Sequence, residues 1–273
     1  MRSIRWFAPL ILTLAVAGAP TAAALTAPAQ AATSASTAWR CATSAPQGNC
    51  GPYSYRPITN SNGFTTYVAN NKWGCGSPDQ CGRQTVQANT PGNWQVTSNQ
   101  TAGNTAVLTY PDVQQVFTHT NDTDPPLSSF HAVFSHFTEA MHATAGTDAE
   151  AAYDIWLSNT KGPDEVMIWV DNRGRGSGGA RRIGHATIFK QPFTVYEYGT
   201  GEIIFSLDHN EQTGTVHILA SLYWLIQHKI VSARAAIGQV DFGWEICSTG
   251  GRPETFTVSA YSLRSMCRTR GCV

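Results

Sequence analysis

The sequence predicts an all-β sandwich or jelly roll. Three observations carry this. Short apolar runs rich in β-branched and aromatic residues recur along the chain, separated by turn signals such as Asn62-Gly63, Pro91-Gly92-Asn93, Lys161-Gly162-Pro163 and Gly199-Thr200-Gly201. Charged residues make up only 13% of the chain, while Gly, Ser, Thr, Asn and aromatics are plentiful. A single segment carries helical periodicity.

The chain opens on a targeting pattern. Arg2 and Arg5 give a basic start, and Trp6 to Val16 is an apolar run too short to span a bilayer comfortably. Ala29-Gln30-Ala31 offers a small-x-small cleavage site. Residues 1–31 are therefore expected to be a signal peptide, and the mature protein to be secreted and extracellular. Residues 32–49 are Ala/Ser/Thr-rich and read as a flexible segment stapled by Cys41 and Cys50. Residues 50–273 then form one domain; the roughly 240 residues left after cleavage suffice for one large core. The formal net charge is zero, and loss of Arg2 and Arg5 makes it slightly negative. That balance gives no pull toward nucleic acid or acidic membranes. No later stretch is long and apolar enough to cross a bilayer.

The strands are expected in order at Phe64–Ala69, Trp94–Ser98, Ala106–Tyr110, Phe130–Phe137, Ala152–Leu157, Glu165–Val170 and Ala186–Lys190. Phe193–Tyr198, Glu202–Leu207, Ala236–Phe242 running on to Cys247, and Thr255–Leu263 follow. Between them, Val216 to Ile230 has apolar residues at 216, 219, 220, 223, 226 and 230. That spacing predicts one amphipathic helix, capped by Thr215 and packed on the outside of a sheet.

Chemistry enters at Asp164-Glu165-Val166-Met167-Ile168-Trp169. Alternation puts Glu165, Met167 and Trp169 on one face of a strand and Val166, Ile168 and Val170 on the other. A charged carboxylate buried there without a partner costs several kcal/mol, so it needs a partner or a cleft. A strand-end Glu in water is the plainer reading. A second such strand, Asp241-Phe242-Gly243-Trp244-Glu245-Ile246-Cys247, weighs against it. Two carboxylates on two strands are the minimum equipment for cleaving a glycosidic bond. The strand Tyr153-Asp154-Ile155-Trp156 lies one short loop before Glu165, so a hairpin would join them. If Asp154 shares the Glu165 face, it helps set the ionisation of Glu165; otherwise it is a cross-strand polar partner. Trp244 has the parity opposite to Glu245 and is expected in the core.

Other chemistry is poorly represented. The seven cysteines are Cys41, Cys50, Cys75, Cys81, Cys247, Cys267 and Cys272, and export favours disulfides. An odd count leaves one thiol over, assigned to Cys247; the pairing of the other six stays open. No zinc spacing, metal-binding His motif or Gly-x-Ser-x-Gly elbow is present, so neither metal nor cofactor is expected.

The ordered set Tyr67-Val68-Ala69-Asn70-Asn71-Lys72-Trp73-Gly74, Tyr153-Asp154-Ile155-Trp156-Leu157, Glu165-Val166-Met167-Ile168-Trp169 and Gly243-Trp244-Glu245 resembles glycoside hydrolase family 12. These are secreted endo-β-1,4-glucanases and xyloglucanases. The resemblance implies a β-jelly roll of two stacked, curved antiparallel sheets with one helix, acting with retention of configuration. It places Glu165 on the nucleophile, Glu245 on the acid/base and Asp154 on the acid that hydrogen-bonds the nucleophile. Asn71 and Trp73 fall on a substrate-binding stretch, Met167 beside the nucleophile, and Trp156 joins them as a substrate-side residue. A β-glucan is the implied partner, and a monomer the expected state. The usual disulfide of the family would fall at Cys50 and Cys81.

The chain departs from the pattern in two places. Ile246 and Cys247 stand where the family often carries Pro and an aromatic, and Cys247 shares the parity of Glu245. The loop 171–182 is basic and Gly-rich, and is expected to be mobile and solvated. The rival to a glucanase is a sandwich that binds carbohydrate without cutting it.

Overall fold

The computed structural model describes residues 39–42, 55–59, 65–75, 81–117, 123–199 and 201–268; for 39–42, 55–59 and 65 only the backbone is described. Among these residues, fifteen strands and one α-helix follow one another. They are β1 (Trp39–Ala42), β2 (Tyr55–Thr59), β3 (Thr65–Ala69), β4 (Gln84–Thr90), β5 (Asn93–Ser98), β6 (Asp112–Val116), β7 (Phe130–Met141) and β8 (Thr147–Ser158). Then come β9 (Glu165–Arg173), β10 (Arg181–Ile188), β11 (Gln191–Tyr198), β12 (Glu202–Leu207), β13 (Thr213–Val216), α1 (Ile218–Gln227), β14 (Ala236–Thr249) and β15 (Glu254–Cys267). A six-stranded sheet runs β1-β4-β5-β15-β7-β13, and a nine-stranded sheet runs β10-β11-β12-β9-β8-β14-β6-β3-β2. The result is the expected jelly-roll sandwich.

Alternation explains the packing. The core-facing residues of the nine-stranded sheet include Tyr153, Ile155, Val166, Ile168, Phe242 and Trp244; those of the six-stranded sheet include Trp94, Phe137 and Phe256. Their rings interlock edge-on or tilted, with Trp94 and Trp244 centroids 5.1 Å apart and Phe137 and Phe242 5.5 Å apart. Trp244 is fully buried, as its parity requires.

Several elements differ from the sequence reading. Thr213–Val216 is an edge strand paired with β7, so the helix starts at Ile218 and His217, not Thr215, precedes it. The buried helical residues are Ile218, Leu219, Ser221, Leu222 and Leu225, a stripe rotated from the expected one. The segment is apolar almost all round, so its period did not fix the inward face. The strand placed at Ala106–Tyr110 shrinks to a single bridge from Thr109 to Ile246, and β6 begins at Asp112. β10 ends at Ile188 because Phe189 and Lys190 take positive φ and form a two-residue hairpin turn. β12 pairs with β9 in parallel, so the larger sheet is mixed.

Cys75 and Cys81 are joined by a disulfide, which overturns the Cys50–Cys81 pairing. They lie six positions apart in the sequence. Cys267 is disulfide-bonded, and the one free thiol among the described residues is the buried Cys247. Within the segment 32–49, the backbone of Trp39–Ala42 forms β1 against β4; the rest of that segment, the signal peptide, Cys50, Cys272 and the side chain of Cys41 lie outside the described residues.

One polar seam crosses the sandwich. Glu139 on β7 is 3% exposed and accepts a hydrogen bond from Trp244 Nε1 at 3.3 Å. Burial, and then the charge of Asp171, push its carboxyl up to about 8. An unfolded Glu titrates near 4.3, so the native state holds the extra proton across the interval between the two values. Stability therefore falls as pH rises through that interval. Glu139→Gln keeps an acceptor for Trp244 and cannot ionise. The loss of melting temperature between pH 5 and 8 is expected to be smaller in the variant than in the parent; equal slopes would show that Glu139 is charged throughout.

Candidate active site

The register of the central strands decides which side chains meet. On the face of the nine-stranded sheet turned away from the core, Glu165 of β9 lies opposite Trp156 of β8, and Met167 lies opposite Asp154. Asp154 in turn lies opposite Asp241 of β14, and Glu245 lies opposite Glu150. Glu202 of β12 is the neighbour of Glu165 on the other side. Asp112 of β6 lies opposite Gly243. With Asp148, at the outward position before Glu150 on β8, the face carries eight carboxyls among the described residues: Asp112, Asp148, Glu150, Asp154, Glu165, Glu202, Asp241 and Glu245.

The approach of β6 to β14 explains the glycine before Glu245. A Cβ on Gly243 would come within 2.0 Å of the carbonyl oxygen of Pro111, so only glycine lets the two strands pair there.

Burial and mutual repulsion dominate the electrostatics. Glu165 is pushed up to about 8 by burial first, then by the charges of Glu202, Glu245 and Asp164. Asp154 is raised well above the usual carboxylate range by burial, then by Glu165, Asp241, Glu245 and Glu202. Its Oδ1 is buried without a hydrogen-bond partner, and charge rather than the expected hydrogen bond couples it to Glu165. Glu202 is pushed up to about 7 by burial and Glu245, and Arg175 opposes this. Asp241 is also raised by burial and then by Asp112, while two hydrogen bonds from Gln239 Nε2, at 2.9 and 2.7 Å, favour its charged form.

The remaining expected residues divide. Asn71 donates from Nδ2 to Asp112 Oδ2 at 3.0 Å and sits at φ 25°, a region Asn tolerates. Trp73, two residues on, is 52% exposed and free to present its indole. Lys72 between them is buried. Trp156 is half-buried beside Glu165. Met167 is 1% exposed and packs with Ala152, Trp169 and Ile204, with Ala180 and Tyr196 against them. It belongs to an apolar floor under the acids.

The basic loop is not simply solvated. Arg175 reaches back over the sheet, donating from Nε to Glu150 Oε1 at 3.2 Å and from Nη1 to the Thr105 carbonyl and Cys247 Sγ, each at 2.9 Å. The loop is tied by bonds of its own, from Gly178 N to the Arg175 carbonyl and from Asn172 Nδ2 to the Gly176 carbonyl. Positive φ at Gly174, Gly176, Gly178 and Gly179 makes that tight path available.

Sequence reasoning missed Glu150, Glu202, Asp112, Asp241 and Arg175. The parity of Glu150 with Asp154 was a usable signal, but the strand was expected to begin at Ala152, whereas β8 begins at Thr147. Nothing local marks Arg175, since its partners lie 25 and 72 residues away.

No family model matches the chain, and no curated protein does. Solved structures match it at low identity. A family 12 xyloglucanase from Bacillus licheniformis in complex with ligand is 22% identical, with a TM-score of 0.65 over 83% of this chain and 99% of that chain. The fold is that of the family 12 glycoside hydrolases. An endoglucanase from Rhodothermus marinus is 18% identical, with a TM-score of 0.64 over 80% of this chain and 98% of that one. Endoglucanase 3 of family 12 from Trichoderma harzianum is 20% identical, with a TM-score of 0.64 over 77% and 94%. The family 12 fold therefore extends over most of the chain, at identities that carry architecture and not activity.

The like charge of Glu202 gives a direct test of the electrostatics. Glu202→Gln removes a charge that holds Glu165 in its protonated form, so the midpoint for Glu165 is expected to move to lower pH by on the order of one pH unit. Carboxyl carbon NMR followed through the titration reads this; an unchanged midpoint would mean that burial alone sets it.

Proposed function

We propose that this protein is an exported, retaining endo-β-1,4-glucanase of glycoside hydrolase family 12. The observation that carries the reading is the convergence of Glu165, Asp154 and Glu245, from three neighbouring strands, on one face of a family 12 fold. The charge of Glu245 acts on Glu165 and on Asp154, so the three belong to one electrostatic unit. The order of sequence motifs supports the same assignment.

The mechanism follows from the two carboxyl roles. Glu165 attacks the anomeric carbon in its ionised form, whose share grows as pH rises toward about 8, as the bond to the leaving oxygen breaks, giving a glycosyl-enzyme ester. Glu245 gives its proton to the leaving oxygen. It then takes a proton from water, which attacks the ester carbon and releases Glu165 with the sugar in its original configuration. Asp154 is more deeply buried than Glu165, and deeper burial makes it the stronger proton holder. It thus stays neutral beside an ionised Glu165 and adds no repulsion. Trp73 offers a flat apolar face to the C–H bonds of a glucose ring, and Asn71, held by Asp112, sets the start of that stretch.

Glu165→Gln and Glu245→Gln are each expected to reduce release of reducing ends from soluble cellulose derivatives, mixed-linkage glucan and xyloglucan by about a hundredfold or more, with the fold retained. Full activity in either variant rejects its assignment. Binding of the glucans by the parent protein without release of reducing ends would favour the binding-only reading.

A further inference from the structure

Residues that point outward from the nine-stranded sheet should line an open cleft, yet those next to Glu245 are covered. Trp169 of β9, Ala152 and Glu150 of β8 and Cys247 of β14 are at most 2% exposed. The cover is the β9–β10 connection, residues 174–180. Ala180 packs on the cluster that holds Trp169, and a Cβ added to Gly178 would stand 3.2 Å from the Trp169 ring. Arg175 carries the cover on across β8 to β14, donating from Nε to Glu150 Oε1 at 3.2 Å and from Nη1 to Cys247 Sγ and the Thr105 carbonyl, each at 2.9 Å. From the far side, Asn104 Nδ2 donates to the Cys247 carbonyl at 2.8 Å, so this strap and the segment 104–105 meet over β14. A carboxyl accepts from a guanidinium whether ionised or neutral, so the fastening does not depend on the charge of Glu150.

We propose that the strap 174–180, latched by Arg175, is a fixed wall beside Glu245 that makes the cleft selective for unbranched β-glucan over xyloglucan. This rests on the glucanase reading, with Glu245 as acid/base. Glu245 is 9% exposed, so a leaving oxygen reaches it only with its sugar pressed against the wall. On the Glu165 side the face is open: Trp156 and Glu202 are half-buried and Tyr198, opposite Glu202, is exposed. A bare glucose unit is a flat slab, whereas a branched unit of xyloglucan brings a second ring. The wall has little slack to admit it. Arg175 ties it at three points, and bonds from Gly178 N to the Arg175 carbonyl and from Ala180 N to the Ser177 carbonyl, each at 3.0 Å, tighten it from within.

The ratio of kcat/KM on mixed-linkage glucan to kcat/KM on xyloglucan reads the wall, because general damage cancels in it. The parent is expected to favour mixed-linkage glucan by about tenfold or more, the order of discrimination that pocket shape achieves. In Arg175→Ala the gap is expected to close to within about threefold. Amide exchange across 174–180 is expected to quicken in the same variant, with the melting temperature showing the fold intact. Arg175→Lys keeps a cation but loses the planar fork, and is expected to fall between the two. A parent that cleaves xyloglucan as well as the unbranched chain overturns the wall. So does an Arg175→Ala variant with the ratio or the exchange of the parent; if that variant does not fold, Arg175→Lys decides on the same readouts. A parent that releases reducing ends from neither glucan rejects the glucanase reading, and the wall falls with it.

Discussion

Crowded carboxyls on a buried face are the constraint around which this molecule is arranged. Like charges in a low-dielectric setting repel strongly, and desolvation penalises each one separately. Eight acids on one sheet face cannot all be ionised, so the protein must distribute a limited number of charges among them. It does so with unequal burial, with amide donors from Asn71, Gln114 and Gln239, and with a single guanidinium brought from a distant loop. The opposite face of the same strands is filled with large apolar rings, so no acid can turn inward to escape. The sandwich supplies rigidity, and rigidity keeps the acids in contact.

Two interactions set how far that distribution reaches. Glu202 raises Glu165 from one side, while Asp154 meets it from the other. At the far end, Glu150 and Glu245 form a second pair under Arg175. The two groups lie at different levels along β8, with Trp156 opposite Glu165 and Glu150 opposite Glu245. Between them sits Asp154, which feels both glutamates. The apolar floor of Ala152, Met167, Trp169 and Ile204 beneath this region keeps the dielectric low and the coupling strong.

The sandwich was legible in the sequence because strands announce themselves by composition and punctuation. The alternation around Glu165 and Glu245 was legible for the same reason, and so was the burial of Trp244. What was not legible depends on partners far along the chain. Val216, expected to open the helix with Thr215 as its cap, instead ends β13 against β7, a partner far away in the sequence. The inward face of α1 was misjudged because leucine, isoleucine and aromatic residues surround it on every side. The disulfide was misplaced because it was assigned by resemblance, whereas Cys81 pairs with Cys75, six positions before it. Arg175 looked like a solvated charge until the fold brought Glu150 beside it.

The parallel pairing of β12 with β9 has a consequence at the sheet margin. It places the β10–β11 hairpin beyond β12, so β10 becomes the outermost strand on that side. An unpaired margin of this length would invite another chain to add a strand. Here it carries exposed Arg181, Arg182 and His185, and a bulge between Arg182 and Gly184 breaks its regularity. Positive charge and an uneven backbone both disfavour the addition of a further strand at this margin.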